Sequence, residues 1–284
     1  MKIGFVGGDL RQMTTLSCFK EEGHFVKIYG YDGLEESVSS FDELKDCDII
    51  VFPLPTCNGD YIFAPMCGRK IHINEIDLSG CKQIFYAGGN EQFNEKIINS
   101  GALCINYLSD EELVQKNAIA TAEGAVDIVI NETAHTIFSS KILITGFGRV
   151  AKAVAKLLKG FGAEVTIAAR RREALAEAYC EGYNTEFISN LGKVVFEYSV
   201  IINTVPAMVI NDAILEKVSD DSLIIDLASK PGGVDFEAAK KLNKRVIWAL
   251  SLPGKVAPIT SGKIIYNTMV SILEERAVMW GEAE

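Results

Sequence analysis

Residues 141–173, KILITGFGRVAKAVAKLLKGFGAEVTIAARRRE, combine two features that could do chemistry: glycines at the spacing of a dinucleotide-binding turn, and three arginines about 20 residues further on. Residues 141–145 are a short apolar run that reads as a buried strand, and Gly146, Phe147, Gly148, Arg149, Val150 and Ala151 then fit G-x-G-x-x-A. In this reading Gly146 makes the tight turn, Gly148 admits backbone close to a pyrophosphate, and Ala151 lets the helix lie near the sheet. Val150, Val154, Leu157 and Leu158 recur at helical spacing, Gly160 and Gly162 stop the helix, and residues 164–169 form the next strand. The helix start then directs its N–H groups at an anion.

The end of that second strand selects the dinucleotide. Asp or Glu there holds the ribose 2′-OH of NAD, whereas a 2′-phosphate calls for Arg. Here the position is occupied by Ala168, Ala169, Arg170, Arg171 and Arg172. A carboxylate would repel the phosphate, while one charge-assisted hydrogen bond contributes roughly 1.5–3 kcal/mol, about 10- to 150-fold in affinity. The pattern predicts NADP; the bland alternative is a solvated basic run capping the next helix.

These residues need a scaffold, and 284 residues with 48% hydrophobic content suit two domains, each with its own core. Apolar segments are short and interrupted by charge, and Met1-Lys2 leads directly into a strand, so a cytoplasmic protein with no membrane span and no signal peptide is expected. A net charge of −10 argues against bulk nucleic-acid binding while leaving room for a local arginine pocket. The seven cysteines are odd in number and lack a C-x-x-C pair, which reads as reduced thiols. His24, His72 and His135 stand far apart in sequence, so no metal is expected.

The first half repeats the plan of the second. Residues 2–30, KIGFVGGDLRQMTTLSCFKEEGHFVKIYG, are also strand, glycine turn, helix, glycine stop and strand, but Asp9 follows Gly7-Gly8 and its charge opposes a pyrophosphate. The acid after the next strand, Asp32, is displaced past Gly30 and Tyr31, and no nucleotide is expected there. Further strands are predicted at 48–53, 83–87, 102–106, 200–205, 223–227 and 246–250, with helices at 91–99, 110–138 and 261–279. The expected fold class is α/β: two Rossmann-like three-layer domains with an interdomain cleft. Residues 1–120 would form an N-terminal substrate domain, 121–140 an interdomain helix, 141–260 the NADP-binding domain, and 261–284 a C-terminal helix packing back on the first domain.

Ligands of open α/β sheets sit outside the carboxyl ends of the strands, which singles out the residues just after each strand. Asp9, Arg11 and Gln12 follow the first, and Pro53, Pro55 and Thr56 follow another. TAEGA (121–125) lies in the linking helix, while NTVPAM (203–208), DLASKPGG (226–233) and SLPGKVAPITSG (251–262) follow later strands. Asp9 also reads as a helix cap, Glu123 as an exposed helix acid, Lys230 and Lys255 as solvated cations, and the prolines as loop stiffeners. Arg11 suits a carboxylate, because a planar guanidinium near a helix start can grip both oxygens.

GGDLRQ, TAEGA, GFGRVA, INTVPAMV, DLASKPGG followed by DF, and LPGKVAPITSG, in that order across nearly the whole chain, resemble the A subunit of dipicolinate synthase. The resemblance implies NADP-dependent oxidation of a dihydrodipicolinate, or of its hydrated tetrahydro precursor, in a branch from the lysine pathway. It further implies the mother cell of a sporulating bacterium and, for a partner, a flavoprotein-like B subunit; a homo-oligomer is also expected. By that resemblance Gly146, Phe147, Gly148, Arg149, Val150, Ala151, Ala169, Arg170 and Arg171 bind the nucleotide. Asn203, Thr204, Val205 and Pro206 line its path toward the nicotinamide, and Ala228 and Ser229 lie beside the nicotinamide. Asp9, Arg11, Gln12, Thr121, Glu123 and Gly124 face the substrate. Aromatising a dihydropyridine dicarboxylate requires two carboxylates held, a ring carbon aligned and one proton accepted. Arg11 would take one carboxylate and Lys230 or Lys255 the other; Glu123 would be the base, and Ser229 joins this catalytic group.

Two other classes stay open at this level. One is an NADP-binding regulatory or scaffold subunit of a flavoprotein complex; the other is a two-domain NADP reductase of the shikimate or methylenetetrahydrofolate dehydrogenase type. The latter predicts a Lys-Asp pair or a folate pocket in the first domain, and neither is evident. Turnover by the isolated chain separates an enzyme from a scaffold.

Overall fold

The computed structural model describes residues 1–280, which divide into two compact units: residues 1–117 with the chain from 257 onward, and residues 118–256. In the first unit β1 (Lys2–Val6), α1 (Leu10–Glu21), β2 (Phe25–Tyr29), β3 (Ser37–Val38) and β4 (Ile49–Val51) are followed by a small hairpin, β5 (Cys57–Asn58) and β6 (Tyr61–Ile62). Then come β7 (Gln83–Tyr86), α2 (Glu91–Asn99) and β8 (Leu103–Asn106). Six of these strands form a parallel sheet in the order β3-β2-β1-β4-β7-β8. A parallel sheet covered on both faces asks for apolar residues at consecutive positions, and β1, KIGFV, is buried at four of its five. Ile3 and Phe5 face a core with Leu16, Phe19, Ile28 and Phe85, while Val6 joins the opposite core with Leu44, Ile50, Phe52 and Phe93. Gly4 lies on that second face because a Cβ there would stand 2.9 Å from Ile50 Cδ1.

Helix α3 (Glu111–Glu132) carries the chain from the first unit into the second, so the division at residue 117 falls inside it. It stops short of the predicted end at 138. Thr133 Oγ1 donates back to Val129 O, Ser139 takes φ +61°, Ile137 turns into the core, and the Phe138 ring covers Gly162. The apolar residues that seemed to prolong the helix thus belong to a turn.

The second unit contains β9 (Lys141–Thr145), α4 (Arg149–Gly160), β10 (Glu164–Ala169), α5 (Arg172–Cys180), β11 (Asn184–Phe187) and α6 (Leu191–Val194). It continues through β12 (Val200–Asn203), α7 (Asp212–Leu215), β13 (Leu223–Asp226), α8 (Phe236–Lys241), β14 (Arg245–Trp248) and α9 (Leu252–Val256). Its parallel sheet runs β11-β10-β9-β12-β13-β14, the same pattern as the first. Helix α4 buries Ala151, Val154, Ala155 and Leu158 at i, i+3, i+4 and i+7, while Val150 and Leu157, predicted on that face, sit half-buried at its margins. Strands β12, β13 and β14 end sooner than predicted, because the loops beyond them tie back to neighbouring strand ends: Leu227 N donates to Asn203 O and Ala249 N to Asp226 O, both at 2.8 Å.

The chain then returns to the first unit as α10 (Pro258–Trp280), which lies along α1. Thr15 Oγ1 donates to Gly262 O at 3.0 Å, and Tyr266 meets Phe19 edge-on at 4.8 Å. A Cβ on Gly262 would fall 2.6 Å from Arg11 O, so glycine permits the close approach.

Candidate active site

In the second unit β10, β9, β12 and β13 are neighbours in register, with Ala168 beside Thr145, Thr145 beside Asn203, and Asn203 beside Asp226. The loops that follow therefore share one sheet edge. Gly146 takes φ +91°, a region that favours glycine, and a Cβ there would lie 2.7 Å from Thr204 Oγ1. Gly148 differs: its φ is −91°, and nothing lies within 4 Å of where a Cβ would stand. It caps α4 without a side-chain hydrogen bond, so open space meets the uncapped start of a 12-residue helix. That arrangement fits a pyrophosphate.

Arg149 is exposed on the first turn of α4. Arg170 and Arg171 follow β10, both exposed, and neither side chain makes a hydrogen bond or ion pair with another described residue. Arg171 is the N-cap residue of α5 and its side chain bonds nothing there, so capping does not account for the arginines. Phe147 and Ala169, predicted among the nucleotide contacts, are buried, the Phe147 ring edge-on to Tyr183 at 6.0 Å. Their side chains, with Ala151 and half-buried Val150, support the site from beneath, and what they offer a ligand is backbone.

Asn203 is likewise a support rather than a contact. Its side chain is fully buried, accepting from Thr145 Oγ1 at 2.6 Å and donating to Asp226 Oδ1 at 2.7 Å and Val205 O at 3.0 Å. Thr204 and Val205 are half-buried and Pro206 exposed; Thr204 Oγ1 donates to Thr145 O at 2.7 Å. Ala228 is buried with both backbone groups used, its N–H on Asp226 Oδ1 and its carbonyl under Trp248 Nε1. Ser229 and Lys230 are exposed on the following turn, and Lys255 is exposed on α9. On α3, Thr121 is half-buried and Glu123 exposed. Gly124 has another explanation than a substrate contact: Leu252 lies 3.1 Å from where its Cβ would be, so it admits close packing.

The first unit corrects the reading of Arg11. Asp9 caps α1 through Arg11 N at 3.0 Å and also takes the guanidinium side-on, from Nε at 3.0 and 3.1 Å and from Nη2 at 2.8 Å. Nη2 donates to Leu54 O as well. The fork predicted to grip a carboxylate is thus engaged from within, and the side chain is 4% exposed. Only Nη1 makes no hydrogen bond among the described residues. Gln12 is buried too, its Nε2 on Val51 O at 3.0 Å. Tyr107 lies fully buried near this pair; burial pushes its phenol above the ordinary range, opposed by the Arg11 charge, and its hydroxyl donates to Phe52 O at 2.9 Å.

Two residues of this edge escaped the sequence reading as supports, Thr145 and Asp226. Their signal was there: β9, β12 and β13 read KILIT, VIIN and LIID, apolar strands each closing on one polar residue. Among the described residues no group of His, Cys, Asp or Glu could hold a metal ion, and no helix is long and apolar enough to cross a membrane.

Residues 2–108 match the family model of the N-terminal domain of the dipicolinate synthase A subunit, and residues 114–245 that of the D-isomer specific 2-hydroxyacid dehydrogenase NAD-binding domain. The dipicolinate synthase A subunit of Bacillus subtilis (strain 168) is 27% identical, over 97% of this chain and 96% of that protein. A crystal structure of the dipicolinate synthase A chain from Bacillus subtilis is similar with a TM-score of 0.85 at 28% identity, covering 97% of this chain and 96% of that one. The crystal structure of its Bacillus halodurans counterpart gives 0.87 at 27% identity, covering 96% and 97%. Along nearly its whole length this chain is similar to the dipicolinate synthase A subunit, and its second unit matches the nicotinamide-dinucleotide-binding domain of a dehydrogenase family.

Proposed function

We propose that this chain oxidises a dihydrodipicolinate, or its hydrated tetrahydro precursor, to dipicolinate with NADP as acceptor. The observation that carries the nucleotide choice is the pair Arg170 and Arg171, exposed and without partners among the described residues at the strand end next to the open turn of Gly148. A bound dinucleotide would supply the hydride acceptor; the dihydropyridine ring, which the hydrated precursor reaches by losing one water, gives up a hydride and one proton and becomes aromatic.

The chain's residues have the rest to do. Arg149, Arg170 and Arg171 hold phosphate oxygens, and the 204–206 and 228–229 segments orient the nicotinamide end. Arg11, fixed by Asp9, donates from Nη1 alone to one substrate carboxylate, and Lys230 or Lys255 pairs with the other. Glu123, exposed on α3, takes the ring proton. Ser229, beside Lys230, contributes a hydroxyl donor, and Thr121 completes the substrate contacts. The subunit name of the Bacillus subtilis relative supports a B subunit as partner; in this proposal that partner is flavoprotein-like, and the pair works in the cytoplasm of a sporulating mother cell.

The test supplies the aldol product of pyruvate and aspartate semialdehyde with NADP and follows NADPH and dipicolinate together, with and without the partner. NADPH and dipicolinate are expected to appear one for one with the isolated chain. Dipicolinate formation at the same rate without any dinucleotide, or NADPH formation only when the partner is added, would overturn the assignment of catalysis to this chain.

A further inference from the structure

Three neighbouring strands of the second unit end on polar side chains that never reach solvent. Thr145, Asn203 and Asp226 are each 0% exposed. They form one directed relay, in which the Thr145 hydroxyl donates to Asn203 Oδ1 and Asn203 Nδ2 donates to Asp226 Oδ1. Each donor and acceptor has a defined sense, so the Asn203 amide has one orientation. Asp226 ends the relay and accepts from two backbone groups besides: Ala228 N on Oδ1 at 3.0 Å and Gly233 N on Oδ2 at 2.8 Å. All its hydrogen-bond partners are N–H donors, and no cation among the described residues pairs with it.

A carboxylate buried without a cation is expensive, and apolar residues of the same volume would stabilise a strand end as well or better. What the carboxylate adds is geometry. Gly233 is wedged so tightly that a Cβ would fall 2.4 Å from both Asn203 Nδ2 and Val205 O, and its carbonyl accepts from Val209 N and Ile210 N at 2.9 Å. Asn203 in turn holds Val205 from both sides, accepting from its N–H and donating to its carbonyl. One side chain therefore ties the 227–233 loop to the 204–210 loop. The groups assigned to phosphate binding follow β9 and β10 and make no hydrogen bond to Asp226.

We infer that Asp226 is the positioning residue of the hydride-transfer site: through Asn203, Ala228 and Gly233 it fixes the two loops that orient the nicotinamide, and so it governs the rate of transfer rather than the affinity for the dinucleotide. The inference rests on the proposed placement of those loops beside the nicotinamide. It differs from a purely structural role in separating two quantities that general loosening would move together.

The experiment uses Asp226→Asn in the full chain, where a carboxylate oxygen becomes an NH2 that confronts N–H donors. A shift of about 1 Å in a reacting group lowers a rate by about 10²-fold, so kcat should fall by that order while the Kd for NADPH stays within about threefold. Amide exchange at Ala228 and Gly233 should quicken without ligand, and the emission of bound NADPH should change, since it reports the nicotinamide's surroundings. Equal losses in kcat and affinity, or no change in either, would overturn the inference. Thr145→Val removes only the far hydroxyl of the relay and covers the case of a misfolded Asp226 variant. It should lower kcat by about three- to tenfold at unchanged Kd, and an unchanged kcat there would also count against the relay. Should the unmutated chain fail to oxidise dihydrodipicolinate, the substrate assignment falls, while the NADPH emission and the amide exchange still decide the role of Asp226.

Discussion

The two units begin alike, as strand, glycine turn, 12-residue helix and strand, and differ in what occupies the turn. In the first unit it is filled by the chain itself. Gly8 N donates to Phe63 O at 2.8 Å, a Cβ on Gly7 would lie 2.8 Å from that oxygen, and Asp9 caps the helix. In the second unit the place above Gly148 is open and the helix has no side-chain cap. The second strand ends differ in the same sense: the Asp32 carboxylate is tied to Gly68 N at 2.6 Å, whereas the side chains of Arg170 and Arg171 are tied to nothing described. Beyond β2 the first unit keeps a cavity of about 430 Å³, lined by Tyr31, Asp32, Ser39 and Arg69 among others, but a carbonyl from just after the hairpin has taken the phosphate seat beside it. One fold thus becomes a dinucleotide site or a closed turn according to which group reaches the first glycines.

The largest effects are expected at the helix starts. Asp9→Ala removes a cap and leaves Arg11 buried without its partner, a kind of loss that costs roughly 3–5 kcal/mol. Denaturant unfolding should show a loss of that order, with NADPH affinity unchanged in protein that remains folded. At the corresponding place in the second unit the effects should invert. Gly148→Val, at a φ any residue adopts and with free space around it, should leave the melting temperature nearly unmoved and weaken NADP(H) binding by about 10²-fold or more. Calorimetric titration of both variants checks the pair; weakened nucleotide binding in the Asp9 variant would assign the first turn a share in the nucleotide site.

A smaller effect is expected at the second strand ends. Arg170→Asp combined with Arg171→Ala should erase an NADP over NAD preference of about 10- to 150-fold, whereas Asp32→Ala should leave the preference as it was. Equal affinities for the two dinucleotides in the unmutated chain would remove the basis for the contrast. The mildest test uses thiols, six of whose seven positions lie in the first unit. Burial pushes Cys47 and Cys57 up to about 11, so both stay protonated and unreactive at neutral pH and gain reactivity only as pH rises toward that value. Peptide mass spectrometry after brief alkylation should find exposed Cys180 modified first.

Much of the second unit was legible because its signals are local. The apolar run 141–145, the glycines just beyond it and the stop at Gly160 lie within one supersecondary unit, and β9, α4 and β10 fall where the pattern put them. The first unit's closed turn was not legible in full. Asp9 hinted at it, but the group that seals it comes from Phe63, more than 50 residues away and just beyond a hairpin of two-residue strands too short to show periodicity. The engagement of Arg11 depended on Leu54 O in the same way. Phe147 and Asn203 were read as contacts because they stand inside the motifs, yet adjacent residues of a strand or turn point to opposite sides, and motif membership alone does not say which side faces the ligand.

The return of the chain as α10 has a consequence for synthesis. The second unit is continuous, residues 118–256, whereas the first needs Ile265 and Met269 to finish covering Leu16 and Phe19. During translation the nucleotide-binding half can close as soon as its last strand has left the ribosome. The half that begins the chain must wait, with the apolar side of α1 uncovered, until residues translated after the whole second unit arrive to cover it.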